Sequence, residues 1–233
     1  MEKEIRYFNF PIQLIRGASK DISKVCWDII CHSLYNYALK ASALPTDEDF
    51  KMATDYYRMP IRDTSIKTAL KNGRTLYDSI PSRSPIAGIS SDVVLDYYQN
   101  DKSEFEIACF CAYAGVKSYL GKDPCKKITN LTLLSRMSGY STEKEMQENK
   151  PIMLSLYSTR WKIDKIKSNL KIKWGVKIYS RHTRGMWIST TMNLEELIIV
   201  AEKARKRYIE KTYKEQEEEV LIRALRSVYG SKK

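Results

Sequence analysis

Residues 159–189 read TRWKIDKIKSNLKIKWGVKIYSRHTRGMWIS, and the way this stretch divides decides the fold. From Ser158 or Thr159 to Leu170, the residues Trp161, Ile163, Ile166 and Leu170 are the apolar positions of a helix. The period then changes. Val176-Lys177-Ile178-Tyr179 and Met186-Trp187-Ile188-Ser189 have the composition of two strands, joined by Ser180-Arg181-His182-Thr183-Arg184-Gly185, with Gly185 as the left-handed residue of the connection. The same stretch is the most basic in the chain: Ser158 to Gly185 holds nine basic residues and one acid, a net of +8 in 28 residues.

Upstream, Glu104 to Leu120 reads as a helix ending at Gly121, and Thr129 to Met137 as another, followed by the polar turn Ser138 to Thr142. The tract 141–150 reads as an inserted loop or an exposed helix, and Asp92 to Tyr98 as a short helix. Pro-rich 81–91 (PSRSPIAGISS) reads as a loop and a module boundary. Before it lie three helices: Ser19 to Leu39 with Ser19 as N-cap, Thr46 to about Arg58 with three acids in its first turn, and 62–80, weakened by Asn72-Gly73. Residues 5–15 alternate Phe8, Phe10, Ile12 and Leu14 on one face, an extended segment that Pro11 places at a sheet edge. Downstream, Asn193 caps a long helix whose apolar positions include Leu194, Leu197, Ile198, Ala201, Ala204, Tyr208, Val220 and Leu221. The expected fold is mainly α: a helical N-terminal region (1–90), a basic module with a two-stranded hairpin (91–192), and a long C-terminal helix (193–233).

The order helix, helix, turn, helix, hairpin over residues 104–189 resembles the winged helix-turn-helix superfamily. FEIACFCAYAGVKSYLG matches its first helix, NLTLLSRMSGYS the second with its turn, TRWKIDKIKSNLKIKWG the recognition helix and VKIYSRHTRGMWIS the wing. The resemblance implies a double-stranded DNA partner, with the third helix in the major groove and the hairpin on phosphate or the minor groove. On that reading Arg160, Lys162, Lys165, Lys167, Lys171 and Lys173 supply groove and phosphate contacts, with Ser168 and Asn169 as weaker base readers. Arg181, His182 and Arg184 form the basic wing tip. Trp161, Trp174 and Trp187 are read as core packing rather than base-stacking platforms, and Tyr157 and Tyr179 as structural.

Charge points the same way. Met1 to Leu120 carries 15 basic and 15 acidic residues, whereas Gly121 to Lys233 carries 25 and 13, so the whole net charge of +12 lies in the second half. A field focused in this way attracts polyanions. The C-terminal helix bears Lys203, Arg205, Lys206, Arg207 and Lys211 and then Glu215, Glu217, Glu218 and Glu219. That succession of signs suits a self-complementary contact, hence a homodimer, although a solvated helix docked by one apolar stripe would carry the same charges.

Other chemistry is poorly supplied. The two histidines, His32 and His182, stand 150 positions apart, which excludes the paired spacing of a Cys₂His₂ zinc site. Cys109 and Cys111 point away from each other on one helix, so they, Cys26 and Cys31 read as small buried hydrophobes rather than metal ligands. No phosphate-cradling or dinucleotide glycine motif occurs. Arg181-His182-Thr183-Arg184 has the wrong spacing for the His-x-x-Arg box of a tyrosine recombinase with Tyr208 or Tyr213 as nucleophile. The expectation is therefore a non-enzymatic protein without cofactor or metal, a transcriptional regulator or a replication initiator. The alternative is an adaptor or inhibitor whose basic face binds an acidic protein or RNA. Five scattered cysteines, an acidic N-terminus without an apolar leader and no long apolar span give a cytoplasmic expectation with no membrane contact.

Overall fold

The computed structural model describes residues 5–181 and 185–229, with the side chains of residues 63, 64 and 224–229 left out. It is mainly helical, with two small sheets and a long C-terminal helix. Strand β1 (Tyr7–Pro11) buries Phe8 and Phe10 and gives way at once to a 3-10 turn, Ile12–Gly17, so the extended segment is shorter than its alternation implies. Its partner is β2 (Ile86–Ser90), which lies within the stretch read as a loop. The strands run antiparallel with Phe8 opposite Ile89 and Phe10 opposite Ala87. Pro81 and Pro85 mask that strand in the sequence because both stand just ahead of it, and the run that follows, Ile86-Ala87-Gly88-Ile89, is too short for a clear period.

Three helices pack around this ribbon: α1 (Ile22–Ala38), α2 (Asp47–Tyr57) and α3 (Asp63–Ser79). Asp21, not Ser19, caps α1, its carboxylate accepting the Lys24 N–H at 2.8 Å. Thr46 caps α2 in a reciprocal arrangement with Asp49, and the acids that follow sit at the positive end of the helix dipole. Asn72-Gly73 does not interrupt α3. A Cβ at Gly73 would stand 2.5 Å from the Cys31 carbonyl oxygen and 2.8 Å from Tyr35 Cβ, so glycine is what lets α3 lie against the α1 backbone.

Helix α4 (Ser91–Gln99) leads to α5 (Glu104–Leu120), capped by Ser103 with Glu106. Helix α5 is apolar nearly all round, and Ile107, Phe110, Cys111, Ala114 and Val116 are buried. It is the central element, packed on β2 on one side and on α6 (Asn130–Met137) and α9 (Arg160–Ile172) on the other. Between α6 and α9 the polar tract forms α7 (Glu143–Asn149), anchored by buried Met146, and a second short helix, α8 (Ile152–Tyr157), absent from the sequence reading.

The hairpin forms as expected from β4 (Lys177–Tyr179) and β5 (Met186–Ser189), but it is not two-stranded. Strand β3 (Lys126–Ile128), between α5 and α6, pairs with β5, giving the order β3-β5-β4 with Ile128 opposite Met186 and Ile178 opposite Ile188. Gly185 enters β5 with φ +100°, and a Cβ there would meet the Ile128 carbonyl oxygen at 2.9 Å, so both its conformation and its contact call for glycine. One connected set of buried residues runs from Phe8 to Ile188 through all these elements. Helix α10 (Leu194–Tyr229), capped by Asn193 and Glu196, docks on β4 and β5 by its first turns, where Leu197 and Ala201 are buried. Tyr208, Val220 and Leu221 are exposed rather than part of a packed stripe. No helix among the described residues is long and apolar enough to cross a membrane.

Candidate nucleic-acid interface

Helix α9 is held by three buried side chains, Ile163, Ile166 and Leu170, at spacings of three and four. They leave an open ridge along its length of roughly 20 Å, on which Arg160, Asp164, Lys165, Ser168, Lys171 and Ile172 are exposed. The end of the helix is tied to the hairpin: the Lys173 N–H donates to the Asn169 carbonyl at 2.8 Å and the Val176 N–H to the Leu170 carbonyl at 3.0 Å. Trp174 stacks on Tyr113, ring centroids 4.5 Å apart, and its Nε1–H donates to Asn169 Oδ1 at 3.1 Å. Asn169 is thus committed to holding this junction, and Trp174 packs as expected.

Two depressions flank α9, and they divide the basic residues between them. The first is a cleft of about 820 Å³ lying between α9, the start of α6 and the hairpin. Arg160, Lys167 and Lys171 face it from α9, Thr129 and Asn130 from α6, and Ser180 and Gly185 from the hairpin. The second is a groove of about 560 Å³ between α9, α8 and the start of α5, bordered by Lys162, Lys165 and Lys173. Ser168 lines both. The sequence groups all seven residues in one recognition-helix stretch; the structure divides the six basic ones between two surfaces, with Ser168 on both.

Within the cleft, Asp164 lies 2.9 Å from Lys167 Nζ and 3.8 Å from Arg160 Nε. Such exposed pairs contribute little stability, but they hold two long side chains at the cleft mouth. Glu143 Oε1 accepts from both threonine hydroxyls, Thr129 at 3.2 Å and Thr132 at 2.5 Å, which closes the N-terminal end of α6. Lys171, like Lys162 and Lys165 across the ridge, has no ion pair among the described residues. Thr129, Asn130 and Glu143 were not among the sequence-derived candidates. A cap-like Thr-x-x-Thr is a weak signal, and nothing local announces that α6 would face α9 across a cleft.

At the hairpin, Tyr179 O–H donates to Glu202 Oε1 at 2.7 Å, while Glu202 Oε2 lies 2.9 Å from Arg205 Nε and 3.6 Å from Arg181 Nη1. The hydrogen bond from Tyr179, then that from Arg205, holds the Glu202 carboxyl below its ordinary range. Arg181 therefore leans on α10 rather than standing free at the hairpin tip. His182 and Arg184 lie outside the described residues. Trp187 is half-buried, beside α10. Trp161 departs from the expected core role: it is 64% exposed, with Lys165 Nζ 4.0 Å from its ring centroid. Ile163 and Ile166 alone satisfy the core at that end of the helix, and Trp161 falls on the outer arc. The buried thiols behave as anticipated; burial pushes Cys26, Cys31 and Cys109 up to about 12. No group of metal-ligating side chains occurs among the described residues. No family model, curated protein or solved structure matches the chain.

Proposed function

We propose that this protein binds double-stranded DNA without catalysing a reaction, through the cleft between α9 and the hairpin. The observation that carries the reading is the open ridge of α9 beside Arg160, Lys167, Ser168 and Lys171, set against a sheet that fixes the hairpin to the same helix. A helix anchored by only three apolar residues offers its remaining circumference to a groove. The strand β3, pairing with β5, makes the hairpin rigid at its base, so that its tip can rest on the neighbouring phosphates. The +8 net charge of Ser158 to Gly185 supplies affinity through counterion release, and the polar side chains in the cleft supply discrimination. Transcriptional regulation and replication initiation both employ such a module. The test is fluorescence-anisotropy binding to random duplex DNA beside heparin and single-stranded RNA. Preference for duplex supports the reading; equal binding to all three, or none to duplex at low salt, would assign the basic surface to another polyanion.

A further inference from the structure

The groove on the other flank of α9 differs in kind from the cleft. Its floor is apolar, built from Phe105, Leu156, Tyr157, Trp161 and Ile172, and its rim carries Lys162, Lys165 and Lys173 against a single acid, Glu104. Trp161 is 64% and Ile172 80% exposed, at the two ends of one depression. Large apolar side chains grouped at the surface and rimmed by polar, mostly basic residues mark a docking site for another chain.

A second exposed segment of the same chain has the complementary character. Residues 215–222 of α10 read EQEEEVLI, with four carboxylates and no base. Tyr213, Val220 and Leu221 are 63%, 65% and 60% exposed. At about 100° per residue they fall with Glu217 inside one arc of roughly 100°. Glu215 and Glu219 are paired with Lys211 and Arg223 along the helix, whereas Glu217 and Glu218 have no ion pair among the described residues. Because α10 is continuous from Leu194 and last buried at Ala201, this segment stands about 20–30 Å beyond the sheet at 1.5 Å per residue, on a helix too stiff to fold back on its own groove.

We propose that the distal part of α10 from a second copy of this chain occupies the groove. Tyr213, Val220 and Leu221 rest on Trp161, Ile172 and Phe105, and Glu217, with Glu218 at the edge of the same face, meets Lys162, Lys165 and Lys173. Reciprocal exchange of the two helices closes a two-fold dimer and leaves neither groove empty. The cleft that faces the hairpin remains open in that assembly, since it lies on the opposite flank of α9.

Sedimentation velocity of the full chain over a concentration series tests this directly. Wild type is expected to dimerise. Lys162→Glu/Lys165→Glu/Lys173→Glu and, separately, Glu217→Lys/Glu218→Lys should each weaken dimerisation at least about tenfold, each like-charge contact being destabilising. Mixing the two variants should restore association, because an acidic groove then meets a basic helix. A wild-type monomer at every concentration, a groove variant that dimerises as tightly as wild type, or a mixture that stays monomeric would each overturn the proposal; the second of these would point to pairing between the α10 helices themselves.

Discussion

His32 lies in α1 with its ring stacked near Tyr77, 5.9 Å between centroids, and its Nδ1 has no hydrogen-bond partner among the described residues. Burial lowers its pKa from 6.5 to about 4, so the folded protein holds the imidazole neutral where the unfolded chain would protonate it. The sign follows from linkage: between those two values the unfolded state binds the extra proton, and stability falls as the pH is lowered through that window, by up to about 3 kcal/mol. Urea unfolding of wild type and His32→Gln at pH 7 and pH 4.5 should show the wild-type advantage shrinking at the acid end. A difference that is the same at both pH values would contradict the neutral buried state. Gly73 makes a second prediction of this scale. Gly73→Ala should destabilise by about 1–3 kcal/mol through the clash with Cys31 and Tyr35, outweighing the better helix propensity of alanine. A raised urea midpoint would mean that α1 and α3 are not packed that closely.

Among the elements, α5 and α2 were legible almost to the residue because their caps are local: Ser103 with Glu106, and Thr46 with Asp49. The hairpin was legible from its period, but β3 was not. Three residues, Lys126-Lys127-Ile128, are too few to show alternation, and only the pairing with β5 makes them a strand. The Ile86–Ser90 strand was hidden for the same reason. For α9, spacing placed Ile163, Ile166 and Leu170 correctly and Trp161 wrongly, since the sequence shows which residues are apolar but not how wide an arc the neighbours cover. The division of the lysines between two flanks follows from where α6 and α8 pack, which is tertiary information. Two consequences belong to α9. Trp161→Ala should leave the unfolding free energy from urea titration within about 0.5 kcal/mol of wild type, as expected for an exposed side chain; a loss of several kcal/mol would mean that the ring is buried after all. Thiol labelling of the native protein at pH 8 should modify half-buried Cys125 quickly and the four buried cysteines only on unfolding. Rapid reaction of Cys109 or Cys111 would show that α5 is not the enclosed centre of the fold.

On the scale of the whole molecule, a neutral first half and a second half of +12 share one core that runs from Phe8 to Ile188. The first half braces α5 through β2, α5 supports α6 and α9, and the sheet locks the hairpin to α9. The charge is thereby presented on a fixed frame, and α10 leaves it as a projecting arm with four acids, Glu215, Glu217, Glu218 and Glu219, in its distal half. The most direct measurement is the salt dependence of duplex binding for wild type and two triple variants, Arg160→Ala/Lys167→Ala/Lys171→Ala in the cleft and Lys162→Ala/Lys165→Ala/Lys173→Ala in the groove. Each phosphate contact contributes about 0.9 to the slope of log K against log salt. The cleft variant is therefore expected to bind more weakly with a slope shallower by roughly 2–3, and the groove variant to change it less. If the cleft variant kept the wild-type slope and affinity, the duplex would not be bound where α9 meets the hairpin.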